Sequence, residues 1–278
     1  MSSVGETLRR STVQIRTGRD QRRGGGSAGS GVILRPGGLI LTNAHVVQGA
    51  SIYTVELWDG RMLSAQVAAS DPARDLATLQ IAAAGLPVLK FRATEARAGE
   101  PVIAIGNPWG FVGAMSKGLV QRTGPVGRLG RRNWVQAAIR LAPGNSGGPL
   151  ADEDGKMLGI NTMVLSGGTA LAVPAAAALD YLRRGPSPRL GIGVRPVHGG
   201  LLVLSIEPKS PAERASLLMG DVLTHWNGAS LQSPEDLTDL LSEFGDDRVR
   251  VRFIRGGPVP REVTIVLPVR GSGTGLAA

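Results

Sequence analysis

The sequence predicts a mainly β protein built as a larger, turn-rich sheet domain followed by a small α/β module. Three observations carry this expectation. Glycine (40) and proline (18) are abundant in the 278 residues, which favours a turn-rich chain over a helical one. Short β-branched or Leu-rich runs follow one another through the first 170 residues, separated by Gly, Pro, Asn and Asp clusters, as in an antiparallel sandwich or barrel. A Gly185-Pro186-Ser187-Pro188 segment then interrupts the chain, and its two prolines forbid helix continuation.

Taken in order, the predicted strands are Thr12–Arg16, Gly31–Leu34, Leu39–Thr42, Ile52–Leu57, Met62–Ser70, Leu76–Ile81, Pro101–Ile105, Lys117–Gln121, Trp134–Ala137, Pro149–Ala151, Met157–Val164 and Ala170–Val173. Ala175–Arg184 reads as a closing helix. Beyond the linker, Ile192–Val197, Leu201–Ile206, Asp221–Trp226, Arg248–Ile254 and Arg261–Leu267 read as strands. Ser233-Pro234-Glu235-Asp236 is a helix start, with an N-cap serine, proline at N1 and acids in the first turn. Leu237, Leu240, Leu241 and Phe244 then line one helical face. The expected boundaries are residues 1–185 and 186–270, with 271–278 a disordered tail.

Composition excludes several classes. There is no cysteine, hence no disulfide framework and no thiolate ligand or nucleophile. The three histidines, His45, His198 and His225, are too scattered to suggest a zinc cluster, and no cofactor is expected. The net charge of +9 admits nucleic-acid binding, but no nucleic-acid motif appears and none is expected as a partner. The cationic runs Arg19–Arg23 and Arg128–Arg132 sit among glycines and read as exposed loops. The first residues lack the apolar core of a secretory signal, and no apolar stretch is long enough to span a membrane. As written, the sequence reads as a soluble chain, either cytoplasmic or already trimmed. No Walker-type segment is present, so ATP is not expected.

The segment Ala142-Pro143-Gly144-Asn145-Ser146-Gly147-Gly148-Pro149-Leu150 carries the chemistry. A serine hydroxyl needs a nearby base and hydrogen-bond donors for the oxyanion it generates. Flanking glycines let the backbone turn tightly, expose Ser146 and converge amides. The backbone amides of Gly144, Asn145 and Ser146 are the oxyanion-hole candidates, Gly144 and Ser146 foremost. Alone, the segment fits a glycine-rich turn equally well. His45, at the end of an apolar strand, and Asp75, just before another, become informative through their order. His…Asp…Ser is the order of chymotrypsin rather than of subtilisin or the α/β-hydrolases.

These motifs resemble the HtrA/Deg family of trypsin-like serine proteases with a C-terminal PDZ domain. The likeness runs over roughly residues 8–268. It rests on Gly29-Ser30-Gly31-Val32, Leu41-Thr42-Asn43-Ala44-His45-Val46-Val47, Asp75-Leu76-Ala77, Gly106-Asn107-Pro108, Lys117-Gly118-Leu119-Val120, Gly144 to Leu150 and Ala172-Val173-Pro174. It implies a chymotrypsin-like double β-barrel with a catalytic triad of Ser146 as nucleophile, His45 as base and Asp75 as its orienting partner. It implies an S1 pocket walled by Leu141, hence small or medium apolar P1 residues in unfolded or regulatory protein substrates. Relatives often form trimers and act mostly in the bacterial envelope. The chain departs from the pattern at Ala138, where an aspartate is usual, and in its short 18–28 loop. In the second domain Arg189-Leu190-Gly191-Ile192 resembles a PDZ carboxylate-binding loop. Leu190, Gly191 and Ile192 are thus expected to hold peptide C-termini, with the peptide adding as a strand beside Ile192–Val197. Ala215-Ser216-Leu217 is a mild departure there, and His198 and His225 read as structural.

Overall fold

The computed structural model describes residues 3–17, 28–50, 52–108, 113–165 and 167–268. The cationic run at 19–23, most of the 18–28 loop and the 271–278 tail lie outside them. The chain divides into two compact units, residues 1–124 with 133–183, and residues 125–132 with 184–278.

The first unit opens with helix α1 (Ser3–Arg10) and holds two closed barrels of six strands. The first comprises β1 (Thr12–Thr17), β2 (Ala28–Ile33), β3 (Leu39–Thr42), β4 (Ile52–Glu56), β5 (Met62–Asp71) and β6 (Leu76–Ile81), in the order β1-β2-β3-β6-β5-β4. The second comprises β7 (Pro101–Gly106), β8 (Ala114–Gly124), β9 (Trp134–Ala138), β10 (Pro149–Ala151), β11 (Met157–Val164) and β12 (Thr169–Pro174). Its order, β7-β8-β9-β12-β11-β10, repeats the topology of the first. Every strand is antiparallel to its neighbours, and closure removes the exposed edges that an open sheet would present.

Each barrel is filled mostly by aliphatic side chains, with Tyr53 buried in the first and Trp134 buried at the start of β9. Val13, Ile15, Ile40, Val55 and Leu79 are fully buried in the first, and Ala104, Val135, Leu150 and Ala172 are buried in the second. With aromatics at only 4%, strand pairing and branched side chains supply the core. Helix α2 (Ala175–Arg184) closes the unit as the sequence predicts. Its Asp180 pairs with the buried Arg74 at 2.9 Å, and its Tyr181 hydroxyl lies 3.4 Å from Thr78 Oγ1. Burial pushes the Tyr181 phenol up to about 12.

The second unit is a sheet of β13 (Ile192–Val197), β14 (Gly200–Ile206), β15 (Val222–Trp226), β17 (Arg248–Ile254) and β18 (Pro260–Val266), with β16 (Ala229–Ser230) paired to β15. Helices α3 (Pro211–Arg214) and α4 (Pro234–Glu243) accompany it. The predicted start of α4 is a full capping box. The Ser233 hydroxyl accepts from the Asp236 N–H, and the Asp236 carboxylate accepts from the Ser233 N–H. Leu237 and Leu241 are buried with Trp226 and Phe244, whose rings meet edge to face at 5.8 Å.

Helix α3 and strand β16 are not among the predicted elements, and the structure adds to the expectation at two further places. Helix α1 is absent from the expectation because eight residues whose only large apolar side chains are Val4 and Leu8 are too short a run to establish a helical repeat. The Arg128–Arg132 run, expected as an exposed loop, is exposed or half-buried where its side chains are described, and it is also hydrogen-bonded within the second unit. The N–H groups of Arg131 and Arg132 donate to the buried Asp239 carboxylate of α4. No described helix is long and apolar enough to cross a membrane, and no described cluster of His, Cys, Asp or Glu could hold a metal ion.

Candidate active site

Strand β3 ends in Thr42, and the chain turns through Asn43 and Ala44 into a single 3₁₀ turn that begins at His45. The turn leaves the His45 side chain 44% exposed while Val46 and Val47 face the barrel interior. The Nδ1 atom of His45 lies 2.9 Å from both carboxylate oxygens of Asp75, and the His45 main-chain N–H donates to Oδ1 at 3.1 Å. With Nδ1 held by a carboxylate, Nε2 is left as the basic nitrogen. Asp75 itself sits in the left-handed region at φ 55°, a conformation that costs a non-glycine residue about 1 kcal/mol or more.

The second barrel supplies the serine. Between β9 and β10, residues 142–148 fold into two linked turns. The Asn145 N–H donates to the Ala142 carbonyl at 3.1 Å, and the Gly148 N–H donates to the Asn145 carbonyl at 3.0 Å. Asn145 Nδ2 donates to the Ala142 carbonyl as well, at 3.0 Å. Because the Asn145 carbonyl is engaged, the Ser146 N–H on the same trans peptide plane points the other way. The Asn145 N–H is committed to its turn, whereas no described partner engages the N–H groups of Gly144 and Ser146. The oxyanion expectation therefore narrows to those two.

The loop is tied to the first barrel chiefly through Ser30. Ser30 of β2 donates its hydroxyl to the Gly144 carbonyl at 2.7 Å and its N–H to the Ser146 carbonyl at 2.8 Å. Asn107 in turn donates its N–H to Ser30 Oγ at 2.9 Å, and Thr42 Oγ1 donates to the Ser30 carbonyl at 2.7 Å. A Cβ on Gly147, at φ 85°, would lie 2.0 Å from the Ser30 carbonyl oxygen, so only glycine fits. Buried Ser30, adjacent to glycines on both sides, was the available signal for this role. Nothing in its spacing distinguished it from a turn residue.

The Ser146 hydroxyl donates to the Thr162 carbonyl at 2.8 Å, and among the described residues no hydrogen bond joins it to His45. Transfer of its proton to His45 requires rotation of the hydroxyl away from Thr162. Such looseness is common in unliganded sites. Beside Ser146 a cavity of about 250 Å³ is lined by Leu141, Pro143, Asn161, Thr162, Met163 and Val164, among others. Leu141 stands in its wall.

In the second unit, the Leu190 and Gly191 carbonyls accept from the N–H groups of Ala212 and Glu207 at 3.1 and 2.9 Å. The N–H groups of Gly191 and Ile192, on the same two peptide planes, therefore face away from those partners. Gly191 is at φ 76°, where a Cβ would meet Ser210 at 2.3 Å. Among the described residues, His198 is exposed on the β13–β14 turn, and His225 lies 3.0 Å from Thr224 Oγ1 through Nδ1.

Residues 29–160 match the family described as "Trypsin-like peptidase domain", and residues 188–266 match "PDZ domain". Two proteins named "Probable periplasmic serine endoprotease DegP-like" are similar over most of this chain. The one from Marinomonas sp. (strain MWYL1) is 34% identical over 272 residues, 88% of this chain and 57% of its own length. The one from Hahella chejuensis (strain KCTC 2396) is 37% identical over 259 residues, 83% and 55% respectively. "Serine protease HTRA2, mitochondrial" of Drosophila pseudoobscura pseudoobscura is 32% identical over 83% of this chain and 64% of its own. The chain thus spans between about half and two thirds of the length of these relatives. Among solved structures, the serine endoprotease from Yersinia pestis superposes with a TM-score of 0.68 at 28% identity, covering 97% of this chain and 98% of that one. A structure described as "HtrA-type protease AlgW with decapeptide" gives 0.66 at 25% identity, covering 96% and 98%.

Proposed function

From the premise that this chain belongs to the HtrA/Deg family of trypsin-like serine proteases with one PDZ domain, we propose that it is a serine endopeptidase working without ATP. Ser146 attacks the scissile carbonyl, His45 takes the hydroxyl proton through Nε2 and returns it to the leaving amine, and Asp75 holds the ring in the required tautomer and stabilises the imidazolium. The amides of Gly144 and Ser146 receive the negative oxygen of the tetrahedral intermediate. The observation that carries this reading is the His45–Asp75 pair, held at 2.9 Å through both carboxylate oxygens. It stands in the same compact unit as a serine loop tied to β2 by Ser30.

The finer parts of the proposal concern substrates. The cavity beside Ser146 has an aliphatic wall of Leu141, Met163 and Val164 and no carboxylate among its lining residues, which supports cleavage after small or medium apolar residues of unfolded protein. Leu190, Gly191 and Ile192 hold the carboxylate of a peptide C-terminus, and the peptide adds as a strand beside β13. A second reading, a peptide-binding scaffold without hydrolysis, draws on one observation, the Ser146 hydroxyl turned toward Thr162.

Incubation of the purified chain with denatured fluorescent casein, without nucleotide, separates the two. Hydrolysis that disappears in Ser146→Ala, with cuts mapping after Val, Ala, Leu or Ile, is the expected result. Cuts after Lys or Arg overturn the pocket assignment. Equal release by Ser146→Ala overturns the mechanism, and binding of casein without hydrolysis favours the scaffold.

A further inference from the structure

We propose that Asn43 is a positioning residue of the hydrolytic site, setting Asp75 and the Thr162 carbonyl in register with one side-chain amide. The inference rests on the reading of Ser146, His45 and Asp75 as the triad and adds a residue to its support.

Asn43 is completely buried in the turn between β3 and His45. Its Nδ2 donates to the Asp75 carbonyl at 2.9 Å and to Thr162 Oγ1 at 2.9 Å. The orientation of the amide is fixed by chemistry, because the Asp75 carbonyl can only accept and must face the NH₂. Both hydrogens of that NH₂ are thereby spent. The Thr162 hydroxyl, having accepted one, passes its own hydrogen to the Ile160 carbonyl at 3.3 Å.

The two acceptors are the points where the halves of the site need fixing. Asp75 occupies a left-handed conformation at φ 55°, and such strain persists only where surrounding bonds over-determine it. Among the described residues, the Asp75 main chain makes one further bond, a 3.3 Å donation from its N–H to the Pro72 carbonyl. The shorter bond from Asn43 is thus the stronger clamp on the residue whose carboxylate holds His45. Thr162 belongs to β11 of the second barrel, and its carbonyl is the acceptor facing the Ser146 hydroxyl. One amide from the first barrel therefore fixes both the base's partner and the strand beside the nucleophile.

The other end of the same amide argues that packing alone does not explain the residue. Asn43 Oδ1 is buried without a hydrogen-bond partner among the described residues, a cost that an apolar side chain of similar volume would avoid. An asparagine at this position is retained for its two donated bonds.

The test uses an alkyl fluorophosphonate, which reports on the activated serine without requiring a known substrate. The inactivation rate at saturation and the half-saturating concentration are measured for the unaltered chain, Asn43→Ala and the nearly isosteric Asn43→Leu. The saturating rate is expected to fall by about 10- to 100-fold in both variants, the range for lost transition-state alignment, with the half-saturating concentration unchanged. The low-field proton resonance of His45 Nδ1–H is expected to weaken or vanish in the variants while the remaining spectrum stays folded. Unchanged rates and an unchanged His45 resonance overturn the proposal. So does a loss of rate that follows thermal unfolding alone, with the resonance intact in the folded fraction. If Asn43→Ala does not fold, Asn43→Leu decides by the same readouts. Failure of the unaltered chain to react at all overturns the triad reading itself, a result distinct from equal reactivity of the variants.

Discussion

The two barrels share one strand order but hold their halves of the site by different means. In the first, side chains do the holding. Asp75 grips His45 through three contacts, and Asn43 and Thr42 anchor the segments around them. In the second, the backbone does the holding, in a glycine-rich loop whose carbonyls and amides are secured by Ser30, Asn161 and the loop itself. On the proposed mechanism, the difference follows from what each half would handle. A base needs one ring orientation, which a carboxylate can specify, whereas an oxyanion needs converging N–H groups, which only backbone free of Cβ atoms can aim.

This contrast can be broken from either side. The largest effect is expected on the side-chain half. Asp75→Asn should lower the saturating hydrolysis rate by about 10⁴-fold, the scale for loss of the correct histidine tautomer, with the unfolding temperature nearly unchanged. A drop below tenfold would mean that Asp75 does not orient His45. Next comes the backbone half. Gly147→Ala places a methyl against the Ser30 carbonyl and should cost about 100-fold or more through displacement of the Ser146 N–H, by the measure of one lost oxyanion donor. Unaltered kinetics would show that the loop accommodates a side chain.

Ser30→Ala sharpens the comparison at the seam. It removes the hydroxyl from the Gly144 carbonyl and should reduce turnover by about tenfold, with a stability loss of about 1 kcal/mol, typical of one hydrogen bond. Ser30→Thr, which keeps a hydroxyl, tests whether the bond or the space matters, and parallel loss in both would point to space. The smallest effect lies away from the chemistry. Burial raises the Tyr181 phenol to about 12, against a usual value near 10. The folded state thus disfavours the phenolate, so the associated stability is complete below about pH 10 and is lost as the pH rises toward 12. Thermal unfolding over that window should fall more steeply for the unaltered chain than for Tyr181→Phe, and equal slopes would contradict the assignment.

The contrast also explains what was legible in the sequence. Glycines around Ser146, the His…Asp…Ser order and the Pro-Gly linker each leave a local signature, because glycine and proline act through their own backbone angles. The helix start at Ser233 was readable because an N-cap serine and a proline at N1 also act on the adjacent backbone, while the reciprocal bond from Asp236 appears only in the structure. The roles of Asn43 and Thr162 left none, and that of Ser30 only its flanking glycines, since each acts on a partner 32 to 119 positions away, and only closure of the barrels brings the partners together. Asn145 shows the converse. Its place in the motif suggested an oxyanion donor, but its N–H is used to close the turn that presents its neighbours. The anchoring of the Arg128–Arg132 run was not legible because the acceptor of its Arg131 and Arg132 amides, Asp239, lies over a hundred residues further on.

The central claim is that Ser146 is the serine activated by both halves. Tandem mass spectrometry of the chain after brief exposure to a fluorophosphonate tests it most directly. The account predicts a single adduct on Ser146, absent after denaturation or in His45→Ala. An adduct distributed over other serines, or none on Ser146 in the folded chain, would contradict it.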